Sequence, residues 1–158
     1  MLLPVVVLLL VRAFVAEPFQ IPSTSMVPTL APGEHVLADK LAYRLHDPRR
    51  GDLVVFRRPQ TNEVLLKRVV AVAGQRVGIA DGVLVVDGRR PAEPYVHDKR
   101  LLDSQYFGPV TVPRGSIFVL GDRRSDSIDS RSFGAVPVDD VIGRVDARIW
   151  PPSRWKVF

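Results

Sequence analysis

The 158-residue sequence contains no cysteine and few lysines. Without cysteine, the chain has neither a disulfide framework nor a thiolate that could bind a metal or attack a substrate. Only four of the 22 basic residues are lysines, namely Lys40, Lys67, Lys99 and Lys156. Because arginine is the usual cation of this chain, the surroundings of each lysine are unusually informative.

The chain also lacks a long amphipathic helix after Pro18. No stretch there repeats apolar residues every 3.6 positions over three turns. Short β-rich runs alternate instead with breakers, which fits the 14 prolines and 11 glycines. These runs cover residues 35–38, 53–57, 64–73, 82–86, 110–112, 117–120 and 141–149. The spacing predicts one all-β domain of short strands.

One part of this domain is expected to leave the core. Residues 82–88 and the strands around them are typical of a hairpin, since Asp-Gly pairs favour tight hairpin turns. Residues 89–108 are polar and rich in proline, aspartate and arginine, which predicts a loop. We therefore expect a single folded domain over residues 17–158 with a small hairpin and loop excursion at about 80–114, which the resemblance described below implies is the catalytic domain.

Residues 1–16 form an apolar segment interrupted by Arg12. As a helix, residues 2–16 would be about 22 Å long, against ~30 Å for the hydrocarbon core of a bilayer. A cleavable signal peptide would need a basic residue before the apolar run. A buried core helix is another interpretation, but the segment is apolar on all sides, which a helix at a domain surface avoids. We therefore expect the outer part of a membrane anchor that begins upstream of Met1, with Arg12 reaching the interface.

The formal net charge of +5 is compatible with three explanations. A basic balance suits nucleic acid, anionic lipid or a merely solvated surface. The basic residues are spread as pairs, such as Arg49–Arg50 and Arg123–Arg124, without the aromatic pattern of an RNA-binding domain. No nucleic-acid partner is expected.

Lys67 lies in the middle of the predicted strand 64–73. Because side chains alternate between faces, Lys67 shares a face with Leu65, Val69 and Ala71. Such a lysine is commonly a guard on an edge strand or extends its amine to solvent. The alternative is that desolvation lowers its pKa and leaves a neutral amine that acts as a general base. The strand alone favours the first interpretation.

Residues 21–30, IPSTSMVPTL, hold Ser23 and Ser25 between Pro22 and Pro28. Proline fixes its own φ and restricts the residue before it, which predicts a stiff, extended segment with both serines on one side. Most clusters of Ser and Thr are turns. The functional alternative is a rigidly held nucleophile with a second hydroxyl beside it. No histidine is needed if a neutral lysine accepts the serine proton.

The polar segment 121–134, GDRRSDSIDSRSFG, lies between two apolar strands. Asp129 and Arg131 are two residues apart and can pair on an extended chain. Surface ion pairs contribute little to stability, so a polar loop is the simplest interpretation. Its density of Ser, Asp and Arg also fits a loop that carries a function.

Together and in this order, four segments resemble the type I signal peptidases, the serine–lysine proteases that remove signal peptides from exported proteins. The segments are EPFQIPSTSMVPTL (17–30), RGDLVVF (50–56), KRVVAVAG (67–74) and GDRRSDSIDSRSFG (121–134). The resemblance implies antiparallel sheets that form a partly open, barrel-like catalytic core after an N-terminal transmembrane helix segment. It also implies cleavage after small residues of the Ala-x-Ala type.

The resemblance assigns roles to residues of these segments. Ser25 would be the nucleophile and Lys67 its general base. The Ser23 hydroxyl and the Ser25 backbone N–H would form the oxyanion hole, and Ser127 would hydrogen-bond and orient the lysine amine. The resemblance also assigns the residues that support the site and those that bind the substrate.

Asp129 would pair with Arg131 to hold the loop that carries Ser127. The implied substrate-binding residues are apolar, which suits alanine recognition, and they are Phe19, Ile21, Pro22, Met26, Leu30, Val55, Leu65 and Leu66. One departure is Arg123, which stands where the family usually has asparagine.

The resemblance implies neither a metal nor another cofactor. The expected partners are signal peptides of secreted preproteins, the lipid bilayer and the protein-export machinery, with the catalytic domain on the extracytoplasmic face of the plasma membrane. One alternative is a LexA-like self-cleaving Ser–Lys protease, which predicts a DNA-binding helix-turn-helix in place of the apolar segment. Another is a membrane-tethered β-domain that binds peptides without cutting them.

Overall fold

The computed structural model describes Pro4 and residues 15–98 and 105–158. Within these residues the strands are β1 (Ala16–Gln20), β2 (His35–Asp39), β3 (Leu53–Arg57), β4 (Val64–Val72), β5 (Arg76–Ala80), β6 (Val83–Val86), β7 (Phe107–Thr111), β8 (Ser116–Leu120), β9 (Val136–Pro137), β10 (Val141–Trp150) and β11 (Lys156–Val157). The α-helices are α1 (Ala42–Leu45) and α2 (Ser130–Phe133), and single 3₁₀ turns cover Val138–Asp140 and Pro152–Arg154. The prediction of a mainly β fold with antiparallel strands is confirmed.

The predicted membrane anchor, residues 1–16, lies outside the described residues apart from Pro4, Val15 and Ala16. No helix in the described part of the chain is long and apolar enough to span a bilayer. Ala16 already belongs to β1 and pairs with Asp39, and the Lys40 N–H donates to the Val15 carbonyl. Strand β1 therefore begins one residue before the boundary predicted at residue 17, and the boundary itself stays a prediction.

The main sheet carries Lys67 on one of its interior strands. Its order is β1-β2-β10-β3-β4-β8-β9, and β11 pairs with β10. Strand β4, which contains Lys67, is hydrogen-bonded to β3 on one side and β8 on the other, in antiparallel register. The interpretation of Lys67 as a guard on an edge strand is therefore wrong.

A second sheet, in the order β6-β5-β7, forms the predicted excursion. Its hairpin turns at Asp81–Gly82, where both residues have positive φ, as a tight hairpin turn requires. The sequence did not predict β5 because Gly78 interrupts its apolar run. A Cβ at Gly78 would lie 2.9 Å from the carbonyl oxygen of Phe107, so the close approach of β7 requires glycine here.

Two apolar clusters fix the site on this framework. The first joins the two sheets and consists of Val70, Ala71, Val77, Ile79, Leu84, Val86, Val112, Phe118 and Leu120. The second attaches residues 21–30 to the main sheet and consists of Ile21, Met26, Leu30, Val36, Ala38, Leu53, Val55 and Val145. Burial of each larger aliphatic side chain contributes about 1.5–3 kcal/mol to stability. The serine-bearing segment is thus held rigidly against the strands.

Candidate active site

The side chains of Ser25 and Lys67 meet inside the protein. Lys67 Nζ lies 2.8 Å from Ser25 Oγ, which is hydrogen-bond distance. Lys67 is only 3% exposed and Ser25 only 7%. Strand pairing places Lys67 opposite Val54, and its amine also donates to the carbonyl of Leu66 at 3.1 Å. A serine hydroxyl in contact with a buried amine is the geometry of a nucleophile with its base.

Burial lowers the pKa of Lys67 from 10.5 to about 8. The charged amine loses its hydration there, and no carboxylate forms an ion pair with it in the described part of the chain. The negative charges of Asp129, Glu63 and Asp122 act in the opposite direction and limit the shift. Near pH 8 a large fraction of the amine is therefore neutral and able to accept a proton.

Residues 21–30 turn rather than extend. The Val27 N–H donates to the Thr24 carbonyl at 3.0 Å, and the Leu30 N–H donates to the Met26 carbonyl at 2.9 Å. The prediction of an extended segment is wrong because Met26 and Leu30 must both reach the core, and a turn brings residues four apart onto one side. Proline is equally compatible with turn positions.

The turn still brings the two serine hydroxyls together. Ser23 Oγ lies 3.1 Å from Ser25 Oγ. The Ser25 carbonyl accepts the Arg123 N–H at 3.0 Å, whereas the Ser25 N–H has no acceptor among the described residues. Ser23 is exposed. Next to the Ser25 hydroxyl there are thus a second hydroxyl and a backbone N–H that can both donate to a substrate oxygen.

Ser127 lies beside Ser25 but does not form the expected hydrogen bond with the Lys67 amine. Its buried Oγ has no partner in the described part of the chain, since the Lys67 amine contacts Ser25 and the Leu66 carbonyl. A Cβ at Gly121 would overlap the Ser127 side chain and lie 2.7 Å from the Ser25 carbonyl oxygen. Glycine at 121 therefore lets the Ser127 loop approach Ser25.

The ion pair expected between Asp129 and Arg131 is present. Arg131 Nε and Nη2 donate to the two carboxylate oxygens at 2.8 Å each. Asp129 is fully buried and also accepts the Gly121 N–H at 3.0 Å, while Arg131 Nη2 donates to the Arg124 carbonyl at 2.8 Å. These bonds connect both ends of the loop that carries Ser127.

The implied substrate-binding residues are only partly brought together. Phe19, Ile21, Met26, Leu30, Val55 and Leu66 belong to one apolar cluster beside the serine-bearing turn, and Pro22 is exposed. Met26, Leu30 and Val55 are 1% exposed or less, so they lie beneath the surface. Leu65 packs in a different cluster, because neighbouring residues of β4 point to opposite faces.

Sequence reasoning missed a buried ion pair that involves the residue next to Lys67 on β4. Arg68 donates to both oxygens of Asp122, at 2.8 and 2.7 Å, and its guanidinium stacks 3.9 Å from the ring centre of Tyr95. Asp122 is fully buried. The signal in the sequence was Arg68 on an apolar strand face, since a buried guanidinium needs a carboxylate partner.

Glu93 and Arg124 form a second buried pair that the sequence did not indicate. Arg124 donates to both oxygens of Glu93, and its Nε donates to the Gly121 carbonyl at 3.0 Å. Asp98 in the same segment accepts the backbone N–H and the hydroxyl of Ser125. Glu93 was overlooked because it lies in a segment predicted only as a polar loop.

Glu93→Gln is expected to lower the free energy of unfolding by about 3–5 kcal/mol, because it leaves the buried Arg124 without its counter-charge. Urea unfolding measures the change. Glu63→Gln is the matched control, since Glu63 forms an exposed pair with Arg58 worth about 1 kcal/mol or less. Equal losses in the two variants would show that the Glu93 pair has no special structural importance.

Comparisons with known proteins show which family the chain resembles over most of its length. The family model for signal peptidase, peptidase S26, matches residues 1–150. The probable signal peptidase I-1 of Synechocystis sp. is 40% identical, over 98% of this chain and 82% of the relative. Thylakoidal processing peptidase 1 of Arabidopsis thaliana, chloroplastic, is 38% identical over 95% of this chain, which spans 46% of that relative.

A crystal structure of a signal peptidase I from Enterococcus faecalis is also similar. It matches with a TM-score of 0.55 and 32% sequence identity, covering 61% of this chain and 95% of the other. The family match extends over nearly the whole sequence and includes all four segments that carry the candidate site residues. The chain therefore belongs to the signal peptidases of the peptidase S26 family.

Proposed function

We propose that this signal peptidase cuts its substrates with Ser25 as nucleophile and Lys67 as general base. Family membership makes the chain a serine endopeptidase that cleaves signal peptides. The observation that carries the residue assignment is the 2.8 Å contact between Lys67 Nζ and Ser25 Oγ in a buried site. Desolvation lowers the basicity of the amine, so that a useful fraction of it is neutral near pH 8 and can accept a proton.

The reaction follows from these two groups. Ser25 Oγ attacks the carbonyl carbon of the scissile peptide bond while Lys67 Nζ takes its proton. The protonated amine then gives that proton to the departing amine, and an ester to Ser25 remains. The neutral amine next activates a water molecule, which hydrolyses the ester and restores Ser25. Ser127, whose hydroxyl has no partner among the described residues, is the proposed positioning group for the amine as its contact with Ser25 Oγ changes.

The Ser23 hydroxyl and the Ser25 backbone N–H are the proposed donors to the oxyanion. Ser23→Ala is expected to lower kcat about 10²–10³-fold with little change in KM, because the negative oxygen develops only in the transition state. Steady-state cleavage of a preprotein measures this. Ser23→Thr keeps the hydroxyl and is expected to retain most of the rate. Activity of Ser23→Ala within threefold of the unsubstituted protein would remove Ser23 from the oxyanion hole.

The apolar cluster beside the turn is the proposed binding surface for the residues before the scissile bond. Phe19 and Leu66 are partly buried and pack on it, so they are accessible to a peptide laid along the Ile21–Pro22 segment. Buried side chains, among them Met26, fill the space below. Little depth remains for a large side chain, which supports cleavage after an Ala-x-Ala sequence.

The proposed location is a membrane. Residues 1–16 would provide the anchor, and the β-domain would act on the extracytoplasmic face of the plasma membrane, where preproteins arrive from the export machinery. The apolar composition of residues 1–16 supports this location. Because the Arabidopsis relative is named as thylakoidal, an internal membrane is the alternative location.

The test is cleavage of a preprotein with a single Ala-x-Ala site, with the products identified by mass spectrometry. The proposal predicts one cut after the second alanine, and none with Ser25→Ala. Binding of the preprotein without any cut by the unsubstituted protein would favour a peptide-binding domain. Cleavage of this chain itself, with an intact preprotein, would favour a self-cleaving protease.

A further inference from the structure

A cavity of about 510 Å³ beside the last strands is lined by cationic side chains. Arg148, Arg154 and Lys156 line one side of it, and Tyr95 and His97 line another. The cavity is separate from the serine–lysine pair, which does not line it. The proposed reaction therefore gives this cluster of cations no role.

The charges around this cavity are not balanced. Glu34 is buried and pairs with both Arg148, at 3.3 Å, and Arg154, at 2.6 Å. Lys156 forms no ion pair in the described part of the chain. One carboxylate thus faces three cations, and two positive charges remain. Arg68 adds none, because Asp122 neutralises it.

The arginine at the base of the cavity is held in place by the protein. Arg148 is nearly fully buried, and its Nε and Nη1 donate to the carbonyls of Arg154 and Thr29. Its Nη2 has no acceptor among the described residues. A fixed guanidinium with a free donor, next to exposed cations on Arg154 and Lys156, is suited to a phosphate group.

Exposed apolar residues lie close to the same cations along the chain, and one of them, Phe158, lines the cavity. Trp150 and Trp155 are 55% and 63% exposed, and Val157 and Phe158 are also exposed. Trp155 lies directly between Arg154 and Lys156 in the sequence. Several exposed apolar side chains of this size within nine consecutive residues indicate an interaction surface, and tryptophan favours the interface between water and lipid.

We propose that the cavity binds the phosphate headgroup of an anionic phospholipid, with Arg148, Arg154 and Lys156 around the phosphate and the two tryptophans in the lipid interface. The combination of an apolar rim and unbalanced cations is complementary to a negatively charged membrane surface. This inference rests on the proposed membrane location, but not on the catalytic roles of Ser25 and Lys67.

The experiment uses the full chain reconstituted in phosphatidylcholine vesicles with or without phosphatidylglycerol. Trp150 and Trp155 are the two tryptophans of the sequence, so intrinsic fluorescence reports directly on the site. With phosphatidylglycerol, the emission is expected to shift to shorter wavelength and to be quenched by brominated acyl chains. Arg154→Gln/Lys156→Gln is expected to weaken docking roughly 25-fold, at about fivefold for each cation.

Arg50→Gln/Arg114→Gln is the matched control, because it removes two charges from exposed turns that do not line the cavity. It is expected to behave like the unsubstituted chain. Lys156→Gln alone leaves the pairs of Glu34 intact and is expected to weaken docking about fivefold.

Three results would overturn the proposal. The first is the same emission spectrum in both kinds of vesicle, and the second is a control variant that weakens docking as much as Arg154→Gln/Lys156→Gln does. The third is the same emission shift with glycerol phosphate alone in detergent. The last would indicate a site for soluble phosphate. Peptide cleavage in detergent is measured in parallel and should stay within twofold for the cavity variants. Loss of the lipid response with intact cleavage separates this inference from the proposed function.

Discussion

Ser25→Ala is expected to lower kcat for preprotein cleavage by about 10⁶-fold, the scale seen when another serine protease loses its nucleophile. The substitution removes the one oxygen that contacts the lysine amine at 2.8 Å and leaves no group to form the ester. The surrounding turn should persist, because it is held by the burial of Met26 and Leu30.

Single-turnover cleavage and circular dichroism together measure this effect. Ser153→Ala, at an exposed serine of the 3₁₀ turn Pro152–Arg154, is the control and should retain full activity. If Ser25→Ala kept more than about one hundredth of the rate with an unchanged spectrum, Ser25 would not be the nucleophile.

Lys67→Met is expected to abolish cleavage to a similar extent, since nucleophile and base act as a unit. Although it abolishes activity, the same substitution should raise the free energy of unfolding. Burial lowers the pKa of Lys67 from 10.5 to about 8. Below about pH 8 the amine is charged in both states, and keeping that charge buried costs about 3 kcal/mol.

The pH dependence of this cost follows from proton linkage. Between about pH 8 and 10.5 the unfolded chain binds a proton that the folded chain has released, so folding becomes more favourable as the pH rises. Above pH 10.5 both states are neutral and the cost disappears. Lys67→Met should therefore gain about 3 kcal/mol at pH 7 and almost nothing at pH 11.

Urea unfolding at these two pH values provides the measurement. Lys40→Met is the control, because Lys40 is partly exposed and forms an ion pair with Glu17. Two results would show that burial of the charged Lys67 amine does not destabilise the fold. One is a Lys40→Met control that gains as much stability as Lys67→Met, and the other is a gain for Lys67→Met that is the same at pH 7 and pH 11.

Much of the fold could be predicted from local pattern. Each predicted β-rich run overlaps a strand, namely β2, β3, β4, β6, β7, β8 or β10. Strand β5 was missed because Gly78 is present for the approach of β7, which is a tertiary requirement. Strand β1 was missed because Ala16 continues an apolar segment, and only its pairing with Asp39 distinguishes it.

The candidate site was less accessible to the same reasoning. The spacing of Asp129 and Arg131 predicted their ion pair, since two residues on one short segment can meet locally. The contact between Ser25 and Lys67 joins positions 42 residues apart, so the residues alone left Lys67 with its commoner interpretation. Only the resemblance to a known family predicted that Ser25 and Lys67 act together. The central position of β4 in the sheet explains why the Lys67 amine is desolvated.

Glu93 illustrates the limit of local patterns. Nothing near it in the sequence indicates a buried charge, because its partner Arg124 is 31 residues away. Only the folded chain shows that the excursion fastens the loop that carries Ser127. The lowered pKa of Lys67 likewise requires the full arrangement of neighbours, since desolvation depends on every element packed around the amine.

The most direct measurement for the serine–lysine account is kcat/KM for cleavage of an Ala-x-Ala preprotein between pH 6 and 10. Because the free enzyme must hold Lys67 as a neutral amine, kcat/KM should rise about tenfold per pH unit at low pH and level off above an apparent pKa near 8. A flat profile over this range, or a midpoint near the pKa of 10.5 of an exposed lysine, would contradict a desolvated Lys67 as the base that activates Ser25.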